Sequence, residues 1–232
     1  MHDIHNDFEI ENILEENRKR HEIINAPYNP VTGLGAVGER KKISIKDSPI
    51  GDMYLPVELI KENLFIRRLA KYGFKGYIIR FIKEVEYSEE ALNQLWIEFI
   101  KYRIIYDFEY WAYSFIFIKD KVSPKDIPFK LNRAQRRVLN KLEKLRKAGK
   151  PIKFILLKAR QWGGSTLVQI YMLWIMLVHR RNWNTVICGD VETQSRNVRA
   201  MITKALNKYP SYLLGETVKF TPFEGSSKNK VI

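Results

Sequence analysis

The chain has 232 residues, 45% of them hydrophobic, which supplies enough apolar material for a core and argues against wholesale disorder. Lys and Arg outnumber Asp and Glu by 40 to 26, a formal charge of +14 that points to a polyanionic partner, nucleic acid first, with a membrane surface or passive ribosome-like binding as competing readings. The single Cys188 excludes an internal disulfide and reads as a small buried hydrophobe in a reducing compartment.

Residues 1–26 read as a helix, acidic early (Glu9, Glu11, Glu15, Glu16) and basic late (Arg18, Lys19, Arg20), as the helix dipole favours. No secretory signal opens the chain. Gly33, Gly35 and Gly38 form G-x-G-x-x-G, formally the dinucleotide fingerprint. Turn formers rather than a strand precede it, so that reading is rejected. Residues 41–106 hold mixed helical segments. One runs from Leu55 to Ala70 and begins with Pro56; another runs from Ser88 to Ile105 and opens on an N-cap and an acidic first turn. The aromatic run Tyr106, Phe108, Tyr110, Trp111, Tyr113, Phe115 and Phe117 reads as core rather than as a base-stacking platform. Further on, Asn132 reads as an N-cap, with Leu131, Gln135, Val138 and Leu139 on one helical face behind it.

The most informative segment is Phe154-Ile155-Leu156-Leu157-Lys158-Ala159-Arg160-Gln161-Trp162-Gly163-Gly164-Ser165-Thr166. An apolar, strand-like run enters a basic, Gly-containing loop that opens into a long helical pattern, the layout of a phosphate-binding loop. Gly163 and Gly164 allow close backbone approach, and the N–H groups at the helix start suit a phosphate. Ser165 is placed to ligate Mg²⁺ through its hydroxyl, with Thr166 next in register. Gly164 stands where a lysine is standard, so Lys158 and Arg160 are the nearest cations for the phosphates. An ordinary strand–turn–helix corner accounts for the same pattern. Gln135 carries a donor and an acceptor and could read an adenine edge, or it could be a plain helical Gln.

Beyond the loop, the apolar stretch 167–178 has 12 residues, too few to span a bilayer, and suits a helix packed on a sheet. Asn184 to Cys188 reads as the next strand and Val191 to Leu206 as the next helix, continuing a β–α alternation. Asp190 reads as a helix cap rather than a Walker B acid, because Gly189 intervenes and no second acid follows. Arg196 and Arg199 could touch DNA or act in trans, although a solvated basic face is the simpler view.

From about Asp107 to Val168 the chain resembles the large terminase subunit of tailed phages, the ATPase that drives DNA into the procapsid. The resemblance rests on Phe108-Glu109-Tyr110-Trp111-Ala112, on Lys125-Asp126-Ile127-Pro128-Phe129-Lys130-Leu131-Asn132 with Gln135, and on Lys158-Ala159-Arg160-Gln161-Trp162-Gly163-Gly164-Ser165-Thr166. In that family the Walker A lysine can lie early in the loop or be absent. The resemblance implies that Gln135 belongs to the adenine motif, that Gln161, Trp162, Gly163, Gly164, Ser165 and Thr166 cradle ATP and its Mg²⁺, and that Arg160 and Lys158 carry the phosphate-charge work. It also implies double-stranded DNA, the portal protein and the small terminase subunit as partners. The implied setting is a homo-oligomeric ring at the procapsid portal in the host cytoplasm, with no membrane.

The expected fold is α/β: a mostly helical region over 1–118, then over 119–232 the first part of a P-loop NTPase parallel sheet, incomplete because no Walker B acid pair and no nuclease-like acid cluster occur before Ile232. A chain ending there is expected to belong to a longer protein and to lack hydrolysis by itself. Two other functions fit some of these features. A superfamily 2 helicase-like ATPase shares a Gln motif but normally keeps the loop lysine. A non-catalytic basic DNA-binding protein would make the Gly-Gly turn incidental.

Overall fold

A computed structural model of the chain describes residues 29, 38–48, 51–82, 87–120, 124–157, 162–179, 185–187 and 192–214. The readings of residues 1–26, Gly33, Gly35, Cys188 and Asp190 lie outside them. The described part is mostly helical, with two small antiparallel sheets. No described helix is long and apolar enough to cross a membrane.

Strand β1 (Arg40–Ser44) pairs antiparallel with β2 (Asp52–Pro56), Ile43 opposite Met53. This hairpin was not legible in the sequence. Its end at Pro56 cuts into the segment expected to be one helix from Leu55. Instead α1 (Val57–Glu62) and α2 (Leu64–Phe81) are separated at Asn63, whose side chain caps α2 by accepting from the Ile66 N–H. Within α2, Gly73 takes φ 74°, and a Cβ there would lie 2.7 Å from that of Lys46. The hairpin loop therefore seats against α2 at a position only glycine tolerates.

Helix α3 (Glu89–Tyr106) begins as expected, with the Ser88 hydroxyl accepting from the Ala91 N–H. Helix α4 (Phe108–Phe115) is buried along its whole length. From Phe108 to Phe115 the aromatic run is thus core, with Tyr106 and Phe117 half-buried at its ends: Phe108 meets Tyr171 at 5.6 Å and Trp174 at 5.3 Å, and the Trp111 indole donates to the Tyr209 hydroxyl. Strands β3 (Phe117–Lys119) and β4 (Asp126–Pro128) pair antiparallel and lead to α5 (Arg133–Lys147). Helix α6 (Gly164–Trp174) continues through a π-helical turn (Ile175–His179), followed by α7 (Glu192–Asn207) and α8 (Ser211–Leu214). One apolar core runs from Ile43 to Tyr209, across the boundary drawn at 118/119.

No parallel pairing occurs among the described residues. The run expected as the strand before the loop, 154–157, is not in a strand. Its apolar side chains alternate: Leu156 packs on the core, while Ile155 and Leu157 are each 99% exposed. A strand is defined by its ladder partners, and the segment expected beside it, Asn184 to Cys188, is described only over 185–187, which is also not in a strand.

Asp107 joins three of these elements. Arg40 of β1 reaches its two carboxylate oxygens at 2.8 and 2.7 Å, Arg103 of α3 donates at 3.2 Å, and the Tyr110 N–H of α4 donates at 3.1 Å. Burial alone would raise the Asp107 pKa. The charge and hydrogen bonds of Arg40, then the charge of Arg103, reverse this and hold it at about 2 against an ordinary 3.8. A depressed carboxylate pKa stabilises the fold fully above the ordinary value and loses that contribution as pH falls through the folded one. Stability is therefore expected to drop as pH is lowered from about 4 towards 2, by about 2 kcal/mol from this group. At neutral pH, Asp107→Asn takes the carboxylate charge away from two buried guanidinium groups and is expected to cost about 3–5 kcal/mol in urea unfolding. A loss below about 1 kcal/mol would show that the cluster does not hold the fold together.

Candidate nucleotide-binding site

The loop that heads α6 is held from below by the start of α5. Asn132 and Gln135 form a reciprocal capping box: the Gln135 N–H donates to the Asn132 side chain at 2.9 Å, and the Asn132 N–H donates to Gln135 Oε1 at 2.8 Å. Both side chains then use their remaining donors on the loop. Asn132 Nδ2 donates to the Trp162 carbonyl at 2.9 Å, and Gln135 Nε2 donates to the Gly163 carbonyl at 2.9 Å. That carbonyl also accepts the Leu167 N–H at 3.0 Å, the first hydrogen bond of α6. Two segments about 30 residues apart are locked into one unit, and the lock fixes where the helix begins.

Gly163 sits at φ 82°, ψ 20°, the left-handed region, as the N-cap of α6. A Cβ on it would lie 2.6 Å from Gln135 Nε2. The backbone angle favours glycine here, and a Cβ would also displace the Gln135 amide from the Gly163 carbonyl. Gly164 is buried, Thr166 half-buried, and Ser165 exposed on the first turn. The first N–H groups of α6 have no intrahelical acceptor and lie beside Ser165. The Trp162 indole N–H is buried without an acceptor among the described residues, and Gln169 Oε1 is likewise buried without a donor.

Of the residues singled out in the sequence, Gln135, Trp162, Gly163, Gly164, Ser165 and Thr166 are brought together. Lys158, Arg160 and Gln161 lie outside the described residues. The position of Gln135 adds something the sequence did not reveal. Its oxygen and one amide hydrogen are committed to the capping box and the loop, which leaves one amide hydrogen and one lone pair for any further partner.

The sequence also hid the charge pairs behind the site. Arg136, next to Gln135, donates to Glu109 of α4 at 2.6 Å, and both side chains are buried. Burial raises the Glu109 pKa more than the Arg136 charge lowers it. A cleft of about 300 Å³ opens here between β1, α1 and α5. Arg40 and Asp107, and Arg136 and Glu109, face each other across its wall as ion pairs, so they leave it no strong excess of either sign. Among the described residues no group of three His, Cys, Asp or Glu side chains could hold a metal ion.

The lock is open to a double-mutant cycle. Gly163→Ala is expected to destabilise the chain by about 1–2 kcal/mol through its backbone angle, plus the contact with Gln135. In a Gln135→Ala background the contact part disappears, so the two losses should fall short of additivity by about 0.5 kcal/mol or more in chemical denaturation. Strict additivity would mean that the two side chains do not meet.

Neither the protein-family models nor the curated proteins nor the solved structures contain a match to this chain.

Proposed function

We propose that the chain carries the nucleotide-binding part of a DNA-packaging ATPase of the large-terminase type, which couples ATP hydrolysis to movement of double-stranded DNA into a procapsid. The observation that supports this best is the hydrogen bond from Gln135 to the Gly163 carbonyl, which ties the candidate adenine motif to the candidate phosphate loop at 2.9 Å. Three motifs that the resemblance takes in order along the chain would then belong to one site.

The residues present suit Mg·ATP. Gly163 heads α6 in the left-handed region with no side-chain cap, so the first N–H groups of the helix could receive a polyphosphate. Ser165 is exposed on the first turn, where its hydroxyl could reach the metal. The unpartnered indole N–H of Trp162 would find an acceptor in a phosphate oxygen. Lys158 and Arg160 would supply the positive charge that Gly164 cannot, and the free half of the Gln135 amide would meet the adenine edge. Mg²⁺ would bridge phosphate oxygens and neutralise charge as it develops. Walker B chemistry, the parallel sheet, the portal protein and the small terminase subunit as partners, and the ring belong to the same proposal.

A titration of the full chain with a fluorescent ATP analogue tests this directly. Saturable binding is expected, about tenfold tighter with Mg²⁺ than with a chelator, equivalent to about 1.4 kcal/mol. Ser165→Ala should remove the Mg²⁺ increment and spare metal-free binding. Arg160→Ala should weaken both. Absence of saturable binding, or a Ser165→Ala protein with an intact Mg²⁺ increment, would overturn the assignment.

A further inference from the structure

Helix α5 carries 7 basic residues and 1 acidic one over Arg133–Lys147. Three of the cations are paired: Arg136 with Glu109, Arg146 with Glu143, and Lys147 with Glu58. The other four, Arg133, Arg137, Lys141 and Lys144, are all exposed, and none makes an ion pair or hydrogen bond among the described residues. At 3.6 residues per turn they fall within an arc of about 80° and span about 16 Å of helix axis. Gln135, Val138 and Leu142 are buried on the far side of the same helix.

This stripe works against the isolated fold. Arg133 with Arg137, Arg137 with Lys141, and Lys141 with Lys144 are like charges one turn apart, each pair unfavourable by about 0.2–0.5 kcal/mol. Arg133 also occupies the first helical position, where the dipole disfavours a cation and where no acidic residue offsets it. A chain selected only for stability would interleave acids here. In α7 the cations are offset: Arg196 pairs with Glu192 within the helix, and Lys204 pairs with Asp126 of β4, an acid that Lys208 just past the helix shares. Helix α2 does carry exposed Arg67, Lys71 and Lys75 with no ion pair among the described residues, which makes them the fitting comparison for the ridge.

We propose that Arg133, Arg137, Lys141 and Lys144 form a ridge that contacts the phosphate backbone of duplex DNA. Duplex DNA carries one phosphate per about 1.7 Å of axis, so a stretch of about 16 Å offers, over the two strands that border a groove, more phosphates than the four cations need. Such contacts position the duplex without reading its sequence. The exposed face of α5 offers no apolar side chain larger than Ala134 to enter a lipid surface, which favours a polyanion in water over a membrane. The ridge lies on the helix whose opposite side holds the Gly163 carbonyl, so one rigid element touches both DNA and the nucleotide loop. The inference shares with the proposed function the choice of duplex DNA as partner, but it does not depend on nucleotide binding.

The test is fluorescence anisotropy of the full chain with a labelled duplex across a salt series. Replacing Arg133, Arg137, Lys141 and Lys144 by Gln should flatten the slope of log K against log salt by about 3–4, and weaken binding at least about tenfold. Gln is a good helix former, so thermal unfolding should stay cooperative. The smaller Lys141→Gln, Lys144→Gln pair should give about half the slope change and serves if the fourfold variant does not fold. A control replacing Lys41, Arg67, Lys71 and Lys75 by Gln lowers the net charge equally on other elements and should change the slope by less than about 1. Equal effects of the two sets would overturn the ridge and leave only net charge. Equally tight, α5-dependent binding to vesicles of anionic lipid would overturn it in favour of a lipid surface. If the unaltered chain ignores duplex DNA, the ridge falls together with DNA as partner, while the ATP titration independently decides the nucleotide site.

Discussion

The fold depends on keeping one buried carboxylate ionised. Asp107 lies in the break between α3 and α4 with no side-chain exposure, a place where an unpaired charge would be intolerable. It is stable there because Arg40 arrives from the hairpin with a two-point contact and Arg103 from the preceding turn of α3. One of the same oxygens, Oδ1, caps α4 by accepting the Tyr110 N–H. The orientation of α4 therefore follows from an ionic constraint, and the aromatic side chains of α4 carry that orientation to α6 and Tyr209. A hydrophobic replacement could fill the volume of Asp107 but could not specify which three elements meet.

The candidate site is built on the same plan at smaller scale. Asn132 and Gln135 each serve two structures at once, the start of α5 and the loop before α6. Neither side chain is long, so the two backbones must approach closely, and Gly163 is the residue that permits it. Behind them the Arg136–Glu109 pair ties α5 to α4. Loop, helix start and central helix are linked through short polar contacts, the Arg136–Glu109 bond buried and most of the others part-buried.

Local signals in the sequence carried well. Ser88 and Asn132 cap the helices they were expected to cap, because a cap depends only on residues three positions away. The buried face of α5 followed from periodicity, and the helix after the loop from the length of its apolar stretch. The hairpin did not, since its register depends on pairing across a loop and on Gly73, whose role is visible only once Lys46 lies against it. Nor did the bond between Arg40 and Asp107, 67 residues apart, for which neither residue has a local signature. In the loop, residue types suggested phosphate chemistry, while the sharing of the Gly163 carbonyl by Gln135 and Leu167 is a matter of three-dimensional contact alone. The parallel sheet was inferred from alternation, and alternation says which segments are strand-like without saying what they pair with.

The alternating run before the loop has a consequence of its own. With Leu156 packed on the core and Ile155 and Leu157 fully in water, the segment leaves an uncharged edge, with no ladder partner among the described residues, beside two large apolar side chains. Such an edge is a template for strand addition and, at high concentration, for self-association. The lysines that bracket it in sequence, Lys153 and Lys158, have the placement of gatekeepers, charges that make stacking of like copies unfavourable without altering the apolar run itself. Neutralising these two charges is expected to raise the tendency of this segment to self-associate while leaving the packed core untouched.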